Sequence, residues 1–305
     1  MHFCFIVEAR YRHEHMPMVV AEHLVHWGHT VDVLEPQTTI TSLSHLVKAN
    51  YDAFVLKTVS DGPGLSILEA AEAAHIPTIN HSRAIRLVRD KVVATTRALA
   101  YGLPVPSTYF VPYLDLLRQV PETAYPLVVK PTNGSSCRDI YRVERPGDLA
   151  ALQGVEANRS FFLAQHYIEN SGFDIKLYVT GRKVFAVTKP SPLHPDIAVD
   201  KRRVPITPAL RALALRVGDI YGLDIYGLDV VQAPYGPVVV DINDFPSFGQ
   251  VHNAGSLVAR HILEIATRHV GQHGTNERPA LPVSSHQEIA AFAQRSGQLF
   301  MLPGS

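Results

Sequence analysis

The first 80 residues alternate short apolar runs with segments of helical spacing, and this alternation constrains the fold more than any other feature of the sequence. The apolar runs cover residues 2–7, 30–35, 53–57 and 77–80, and the helical patterns cover 16–27, 43–50 and 65–74. Strands that alternate with helices predict a parallel sheet of the doubly wound type. Ligands of such sheets bind beyond the carboxyl ends of the strands. In this chain those ends are residues 8–15 and 58–64.

The pattern changes after residue 88, where strands begin to follow one another. Helical spacing occurs at 89–102, 208–221 and 254–269, and strand patterns occur at 103–111, 126–142, 162–190, 226–232 and 237–242. The sequence therefore predicts an α/β region followed by an α+β region. From residue 271 the chain is rich in Gly, Pro and Ser, with one weak helical pattern at 285–294.

Composition excludes several classes of protein. Of the 305 residues, 46% are apolar and 18% are charged, which is typical of a packed globular chain. Lys plus Arg and Asp plus Glu both number 28, so the surplus of cations that nucleic-acid binding needs is absent. No apolar run approaches 18 residues, and the start has neither a basic leader nor a cleavage site, so we expect a cytoplasmic protein without a membrane span. Two cysteines cannot build a disulfide framework.

Two aspartates face each other in the predicted hairpin of residues 226–242. If the turn is centred near Tyr235, Asp229 lies opposite Asp241, and Asn243 lies on the same face as Asp241. Two carboxylates this close repel each other, and a divalent cation relieves the repulsion. Oxygen ligands favour Mg²⁺ or Mn²⁺ over Zn²⁺. The alternative is that one acid points to solvent and the other caps a turn.

Further polar signals follow apolar strands. Lys130 ends such a strand and precedes the small-residue loop 131–136, a combination that can surround phosphates with an ammonium and backbone N–H groups. The same loop could be an ordinary hairpin turn, and the Walker pattern is absent. After the apolar run 163–168, Asp174 and Lys176 lie two residues apart and therefore on one face of a strand. They could belong to a functional site, or they could form an ordinary surface ion pair. A fourth signal, Asp90 followed by Lys91, opens a helix, where a lysine is commonly solvated.

In this order, the four signals resemble the ATP-grasp superfamily over about residues 75–265. Residues 79–110 are similar to the approach segment of RimK-type and D-alanine–D-alanine-type ligases, and VVKPTNGSS at 128–136 resembles the small-lobe strand with its phosphate loop. Residues 227–249 resemble the metal hairpin, with 241–246 (DINDFP) closest to the inositol-polyphosphate kinases of that superfamily. The resemblance implies a Rossmann-like N-terminal domain before two α+β lobes that hold ATP. The implied divisions are a Rossmann-like domain at 1–88, a small lobe with its approach helix at 89–165, a large lobe at 166–270 and a tail at 271–305.

The resemblance also implies a nucleotide site and a metal site. The nucleotide site comprises two phosphate lysines, two phosphate-loop serines, an adenine hinge and a ribose acid: Lys91, Lys130, Ser135, Ser136, Gln165, His166, Tyr167, Ile168 and Asp174. Glu169 competes with Asp174, because the spacing is two residues longer here. Lys176 is expected to face the γ-phosphate as a catalytic residue. The metal ligands are Asp229, Asp241 and Asn243, with Asp241 bridging two Mg²⁺ ions and Mn²⁺ as a possible substitute.

The implied reaction transfers the γ-phosphoryl group of ATP to a small anionic acceptor. In the favoured interpretation the acceptor is a carboxylate, which forms an acyl phosphate that an amine co-substrate attacks, so that the enzyme is a carboxylate–amine ligase. The RimK-like run 75–111 favours this interpretation. In the alternative the acceptor is a hydroxyl and the enzyme is a kinase. The 241–246 match and Lys176 favour this alternative, as does a group of cations that could hold phosphates: Lys189, Lys201, Arg202 and Arg203. A third hypothesis is a nucleotide-binding protein without catalysis.

The acceptor is expected between the metal hairpin and the N-terminal region, where candidate cations collect. Arg202 and Arg203, in the segment 189–203, are expected to be catalytic residues that contact an anionic acceptor, and Arg10 and Arg12 are weaker candidates. Each of these could instead be a solvated surface residue. Neither nucleic acid nor membrane is expected as a partner, and the sequence leaves the oligomeric state open.

Overall fold

The N-terminal region contains a four-stranded sheet whose strands are all parallel. The computed structural model describes residues 1–12, 15–59, 62–132, 139–152, 161–194 and 196–273. The strands are β1 (His2–Val7), β2 (Thr30–Leu34), β3 (Ala53–Lys57) and β4 (Thr78–Ile79), in the spatial order β2-β1-β3-β4. The predicted parallel sheet is therefore present, whereas the finer likeness to a Rossmann domain stays a prediction.

Helices cover both faces of this sheet. They are α1 (Ala9–Arg12), α2 (His15–His26), α3 (Leu43–Lys48) and α4 (Gly64–Ala73). Along β1, Phe3 and Phe5 join a core with residues of α2, while Cys4 and Ile6 join a core with residues of α4 on the other face. Strands buried on both faces are uniformly apolar, which explains why residues 2–7 lack alternation.

Two helices connect this region to the rest of the chain, where the sequence predicted one. They are α5 (Ser82–Arg89) and α6 (Lys91–Ala100), separated by Asp90. The Asp90 carboxylate accepts from the backbone N–H groups of Val92 (3.0 Å) and Val93 (3.1 Å), so it caps α6. The break places Lys91 in the first turn of a new helix.

The middle of the chain forms an antiparallel sheet of four strands. They are β5 (Thr108–Val111), β6 (Leu127–Pro131), β7 (Tyr141–Val143) and β8 (Phe162–His166), in the order β5-β8-β6-β7. Three short 3₁₀ helices accompany it: Leu114–Gln119, Glu122–Ala124 and Pro146–Leu152. Its core includes Leu117, Val129 and Phe162.

A second antiparallel sheet has five strands and carries most of the candidate site. They are β9 (Phe173–Thr180), β10 (Lys183–Pro190), β11 (Arg203–Val204), β12 (Ile225–Ala233) and β13 (Gly236–Asn243), in the order β11-β10-β9-β12-β13. Helix α7 (Pro208–Tyr221) covers one face and contributes to a core with Leu177 and Val179 of β9. Because strand residues alternate, Asp174 and Lys176 point to the opposite face. Helix α8 spans Ala254–His273.

Residues 1–266 form one compact unit. The division of those residues at 88 and 165 stays a prediction, and the predicted tail helix at 285–294 lies outside the described residues. Among the described helices, none is both long and apolar enough to cross a membrane.

Asn80 fastens the end of the N-terminal sheet to the five-stranded sheet. Its side chain is buried; Nδ2 donates to the carbonyls of Ile225 (2.7 Å) and Asp244, and Oδ1 accepts from the N–H groups of Asp224 and Ile225 at 2.8 Å each.

We expect Asn80→Ala to lower the free energy of unfolding by about 3 kcal/mol, because buried donors and acceptors lose their partners. Urea denaturation measures this change. The exposed Asn50, changed to Ala, is the matched control; equal effects of the two substitutions would contradict this role for Asn80.

Candidate active site

The hairpin of β12 and β13 brings the two aspartates face to face, as the sequence predicted. Asp229 is the register partner of Asp241, although the turn is shorter than assumed and pairs Ala233 with Gly236. A bulge beside Asp229 compensates, because it adds one residue, Val240, to β13. The bulge also turns the Val240 carbonyl toward β6, where the ammonium of Lys130 donates to it at 2.7 Å.

Two ammonium groups surround Asp229 from the neighbouring strands. Lys176 is its register partner on β9, with Nζ 2.9 Å from Oδ2, and Lys189 of β10 places its Nζ 2.7 Å from Oδ1. Asn243 Nδ2 lies 3.5 Å from Oδ2. The Asp229 side chain is only 8% exposed, so these contacts form in a weakly screened environment.

Asp241 is neutralised from the other side. The Nζ atom of Lys91, in the first turn of α6, lies 2.6 Å from Asp241 Oδ1. Lys130, near the end of β6, is buried and lines the same cleft as Asp241. Four lysines and two aspartates from six elements therefore lie close together.

The charges fix the ionisation of both carboxyls. Burial alone raises the pKa of Asp229, but Lys176 and Lys189 outweigh burial and hold that pKa well below its usual range. Burial also raises the pKa of Asp241, and Lys91 with Lys130 lowers it below the ordinary value. Both side chains are therefore carboxylates at neutral pH, the form that a divalent cation requires.

A cleft of about 840 Å³, partly open to solvent, extends from this cluster between the two antiparallel sheets. The predicted hinge lines it with Gln165, His166, Tyr167 and Ile168. Further lining residues are mainly apolar and suit a planar base: Pro106, Val128, Pro131, Ile140, Pro192, Leu193 and Val231.

Hydrogen bonds to neighbouring residues hold the hinge residues in place. The Tyr167 N–H donates to the Pro126 carbonyl at 2.9 Å, and Gln165 Nε2 donates to Thr108 Oγ1 at 3.2 Å. The Tyr167 hydroxyl lies 2.8 Å from the ring Nε2 of His194. The position of the hinge is thus set by its neighbours before any ligand binds.

Asp174 lines the cleft, whereas the competing Glu169 is exposed and is not among the lining residues. Asp174 is buried, and its Oδ1 has no hydrogen-bond partner among the described residues. Burial raises the pKa of Asp174, against the opposing effect of Lys189. An acceptor oxygen of this kind, in a cleft, fits a ligand hydroxyl, which is the ribose role that the resemblance implied.

The residues fit a nucleotide with a hard cation. The described residues contain no cluster of three or more His, Cys, Asp or Glu, so a zinc site of that kind is not present among them. The donors at the hairpin are the oxygens of Asp229, Asp241 and Asn243, which suit Mg²⁺. Lys91 and Lys130 line the same cleft as Asp229 and Asp241, and they provide the positive charge that phosphates need.

The remaining predicted cations lie away from the cluster. Arg202 and Arg203 are exposed at the sheet edge and do not line the cleft, and the Arg203 guanidinium lies 5.1 Å from the ring centre of Phe185. Arg203 is the register partner of Val187, which pairs with Lys176, so Arg203 is on the site face two strands from Lys176. Their assignment as catalytic residues therefore stays a prediction. Ser135 and Ser136 lie outside the described residues.

Near the N-terminal strand ends, the weaker acceptor candidates have acidic neighbours. Arg10 Nε lies 3.7 Å from Glu8 Oε2, and Arg12 Nε lies 3.5 Å from Glu35 Oε2. These contacts reduce the positive charge that the two arginines could offer to an anion.

The sequence did not indicate the contact between Lys189 and Asp229. The turn consists of Gly181 and Arg182, and counting outward from these two residues pairs Lys189 with Asp174. The same counting that paired Asp229 with Asp241 could therefore have placed Lys189 on the site face. The reach of its side chain to Asp229, on the strand beyond β9, had no signal in the sequence.

Comparisons with known proteins agree with this geometry. Residues 88–265 match the RimK-like ATP-grasp domain. A probable alpha-L-glutamate ligase of Teredinibacter turnerae is 28% identical over 282 residues, which cover 85% of this chain and 92% of the relative.

Two solved structures share the fold. The RimK domain ATP-grasp protein of Sphaerobacter thermophilus superposes with a TM-score of 0.67 at 20% identity, over 86% of this chain and 100% of that one. The D-alanine–D-alanine ligase of Bacillus anthracis gives 0.65 at 14% identity, over 90% and 99% of the two chains.

The fold and the cleft therefore define an ATP-grasp enzyme. More narrowly, the chain belongs to the RimK-like ATP-grasp family, and it is an ATP-dependent ligase whose cofactors are ATP and Mg²⁺.

Lys130 tests the nucleotide site. We expect Lys130→Met to weaken ATP binding by about tenfold or more, because a charge-assisted contact to phosphate is lost while the apolar stem is kept. Titration calorimetry measures the dissociation constant. The exposed Lys48, changed to Met, is the control; equal ATP affinity of the Lys130 variant and the wild type would refute the nucleotide assignment of β6.

Proposed function

We propose that this protein is a carboxylate–amine ligase that activates its carboxylate substrate as an acyl phosphate. The observation that carries the proposal is the cluster of Asp229, Asp241, Lys91, Lys130 and Lys176 at one end of a cleft with an apolar far end. Such a cluster supports γ-phosphoryl transfer, where positioning and charge neutralisation provide most of the catalysis. Membership of the RimK-like family supports the ligase class.

Two substitutions at different atoms make up the proposed reaction. In the first, a carboxylate oxygen of the acceptor attacks the γ-phosphorus, and the bond from that phosphorus to the β–γ bridging oxygen breaks, which releases ADP. In the second, the nitrogen of the amine attacks the acyl carbon, the bond to the phosphate oxygen breaks, and a proton leaves the nitrogen. The products are an amide, ADP and inorganic phosphate.

The chain's own side chains have separate roles in this proposal. Lys91 and Lys130 bind phosphate oxygens, and Lys176 faces the transferred group. Asp174 holds a ribose hydroxyl, and the hinge 165–168 orients the base. Asp229, Asp241 and Asn243 would hold Mg²⁺, which neutralises phosphate charge when bound.

One of the two substrates is proposed to be an amino acid or a peptide. The names of the relatives support this class: they are probable alpha-L-glutamate ligases and a D-alanine–D-alanine ligase, and a further ATP-grasp ligase of the same fold is complexed with a precursor peptide.

The kinase alternative is not favoured. Its main support was the match at 241–246, but two of those residues, Asp244 and Phe245, have structural contacts. Arg89 Nη2 lies 2.9 Å from Asp244 Oδ2, Lys57 Nζ donates to the Phe245 carbonyl at 2.6 Å, and Phe245 is in a core. These contacts explain that stretch without reference to the acceptor.

Trapping with hydroxylamine tests the proposal. Incubation with ATP, Mg²⁺ and a panel of amino acids and small carboxylates should give a hydroxamate, because hydroxylamine attacks an acyl phosphate. Omission of ATP is the control. A stable phosphorylated hydroxyl compound in place of a hydroxamate would identify a kinase.

Asp241→Asn should abolish turnover and leave the fold intact. An amide keeps the shape but lacks the charge that a divalent ion and Lys91 need, and loss of more than about a thousandfold in kcat is expected if phosphoryl transfer depends on this charge. ADP release measures turnover, and thermal melting checks the fold. Near-normal turnover with Mg²⁺ present would remove Asp241 from the metal site.

Arg202 and Arg203 test the position of the acceptor. We expect Arg202→Ala with Arg203→Ala to raise the KM for the acceptor or lower kcat by about tenfold or more, because loss of a charged contact costs about 1.5–3 kcal/mol. The ATP dissociation constant should hardly change. Arg203 should account for more of the effect, since it is on the site face. The exposed Arg182, changed to Ala, is the control. Wild-type kinetics of the double variant would place the acceptor elsewhere.

A further inference from the structure

Both oxygens of the Asp229 carboxylate are in contact with ammonium groups. Lys176 lies at 2.9 Å from Oδ2, and Lys189 lies at 2.7 Å from Oδ1. A metal ion bound by Asp229 must coordinate one of these oxygens. At either oxygen, the positive charge of a lysine opposes the binding of a divalent cation.

The two lysines reach Asp229 in different ways. Lys176 stands directly opposite Asp229 on the adjacent strand β9, so the sheet itself holds it there. Lys189 is on β10, the next strand beyond β9, and about two strand spacings, roughly 9–10 Å, separate the backbones of β10 and β12. Only an extended side chain brings the Lys189 ammonium to Oδ1.

The Lys189 ammonium also lies between two acids that line the cleft. Its Nζ is 3.9 Å from Oδ2 of Asp174, the candidate ribose acid, and 2.7 Å from Asp229, the candidate metal ligand. The side chain lines the cleft and is 19% exposed. A nucleotide that spans from ribose to metal passes this ammonium, so its phosphates offer Lys189 an alternative partner.

We propose that Lys189 is an exchangeable counter-ion. It neutralises Asp229 and Asp174 before ligands bind, and it transfers to the phosphates when the nucleotide enters, which releases Asp229 to the metal. The inference rests on the proposed nucleotide and metal site. The four-carbon stem of Lys189, with its rotatable bonds, allows this movement. Lys176 remains beside Asp229 more readily, because its backbone lies directly opposite on the adjacent strand.

The consequence is a pair of opposite effects. Removal of the Lys189 charge exposes Asp229 to a metal ion alone, so metal binding without nucleotide becomes tighter. The same removal deprives the phosphates of a cation, so nucleotide binding without metal becomes weaker. A residue with a merely structural role would weaken both.

Lys189→Met tests this, because it keeps the stem and removes the charge. We expect Mn²⁺ alone, titrated by electron paramagnetic resonance, to bind about tenfold tighter, and ATP in the presence of EDTA, titrated by calorimetry, to bind about tenfold weaker. Lys189→Arg should restore both values toward wild type. Lys183→Met, on an exposed residue of the same strand, should change neither.

The outcomes separate this inference from the function on which it rests. Unchanged or weaker Mn²⁺ binding by the Lys189→Met variant, with normal ligand binding by the wild type, would overturn the exchange and leave the nucleotide site standing. A wild-type protein that binds neither ATP nor Mn²⁺ would overturn both. Thermal melting checks the fold, and Lys189→Gln, with the same two expected shifts, replaces the Met variant if that variant does not fold.

Discussion

The opposition of Asp229 and Asp241 across one hairpin is the constraint on which the rest of the site depends. Two carboxylates on adjacent strands repel each other, so each needs a positive partner. Removal of one partner of a buried ion pair commonly costs about 3–5 kcal/mol. Lys91, Lys130 and Lys176 provide the compensation from α6, β6 and β9. The geometry of the site thus requires all of these elements to be in place together.

The segment that follows the hairpin connects this cluster to the N-terminal sheet. Arg89 lies at 2.9 Å from Asp244 and also donates to the carbonyls of Thr58 and Val59, while Asn80 holds the Asp244 carbonyl. The metal ligand Asn243 is therefore adjacent to an anchored residue. Residues 241–246 make contacts that stabilise the fold and also carry candidate metal ligands. This double use explains why the stretch resembles more than one branch of the superfamily.

The sequence could predict what depends on periodicity and local register. Helix α7 begins and ends at Pro208 and Tyr221 as predicted, because Thr207 caps it and Gly222 ends it at a φ of +71°. The pairing of Asp229 with Asp241 was also right, although only because the bulge at Val240 offsets a shorter turn. The sequence placed a helix start at Asp90 and Lys91, which α6 confirms, but it did not predict the separate helix α5 before it. The reach of Lys189 and the edge position of Arg203 depend on side-chain conformation and strand order, which periodicity does not encode.

The most direct test of the central claim is the position of the metal in a crystal of the protein with Mn²⁺ and a non-hydrolysable ATP analogue. Anomalous scattering at the manganese absorption edge locates the ion independently of the atomic coordinates. We expect a peak in contact with the carboxylate of Asp241 and adjacent to Asp229 and Asn243, with the phosphates beside Lys91 and Lys130. A well-defined analogue with its phosphates elsewhere, or a manganese peak remote from the hairpin, would contradict the account.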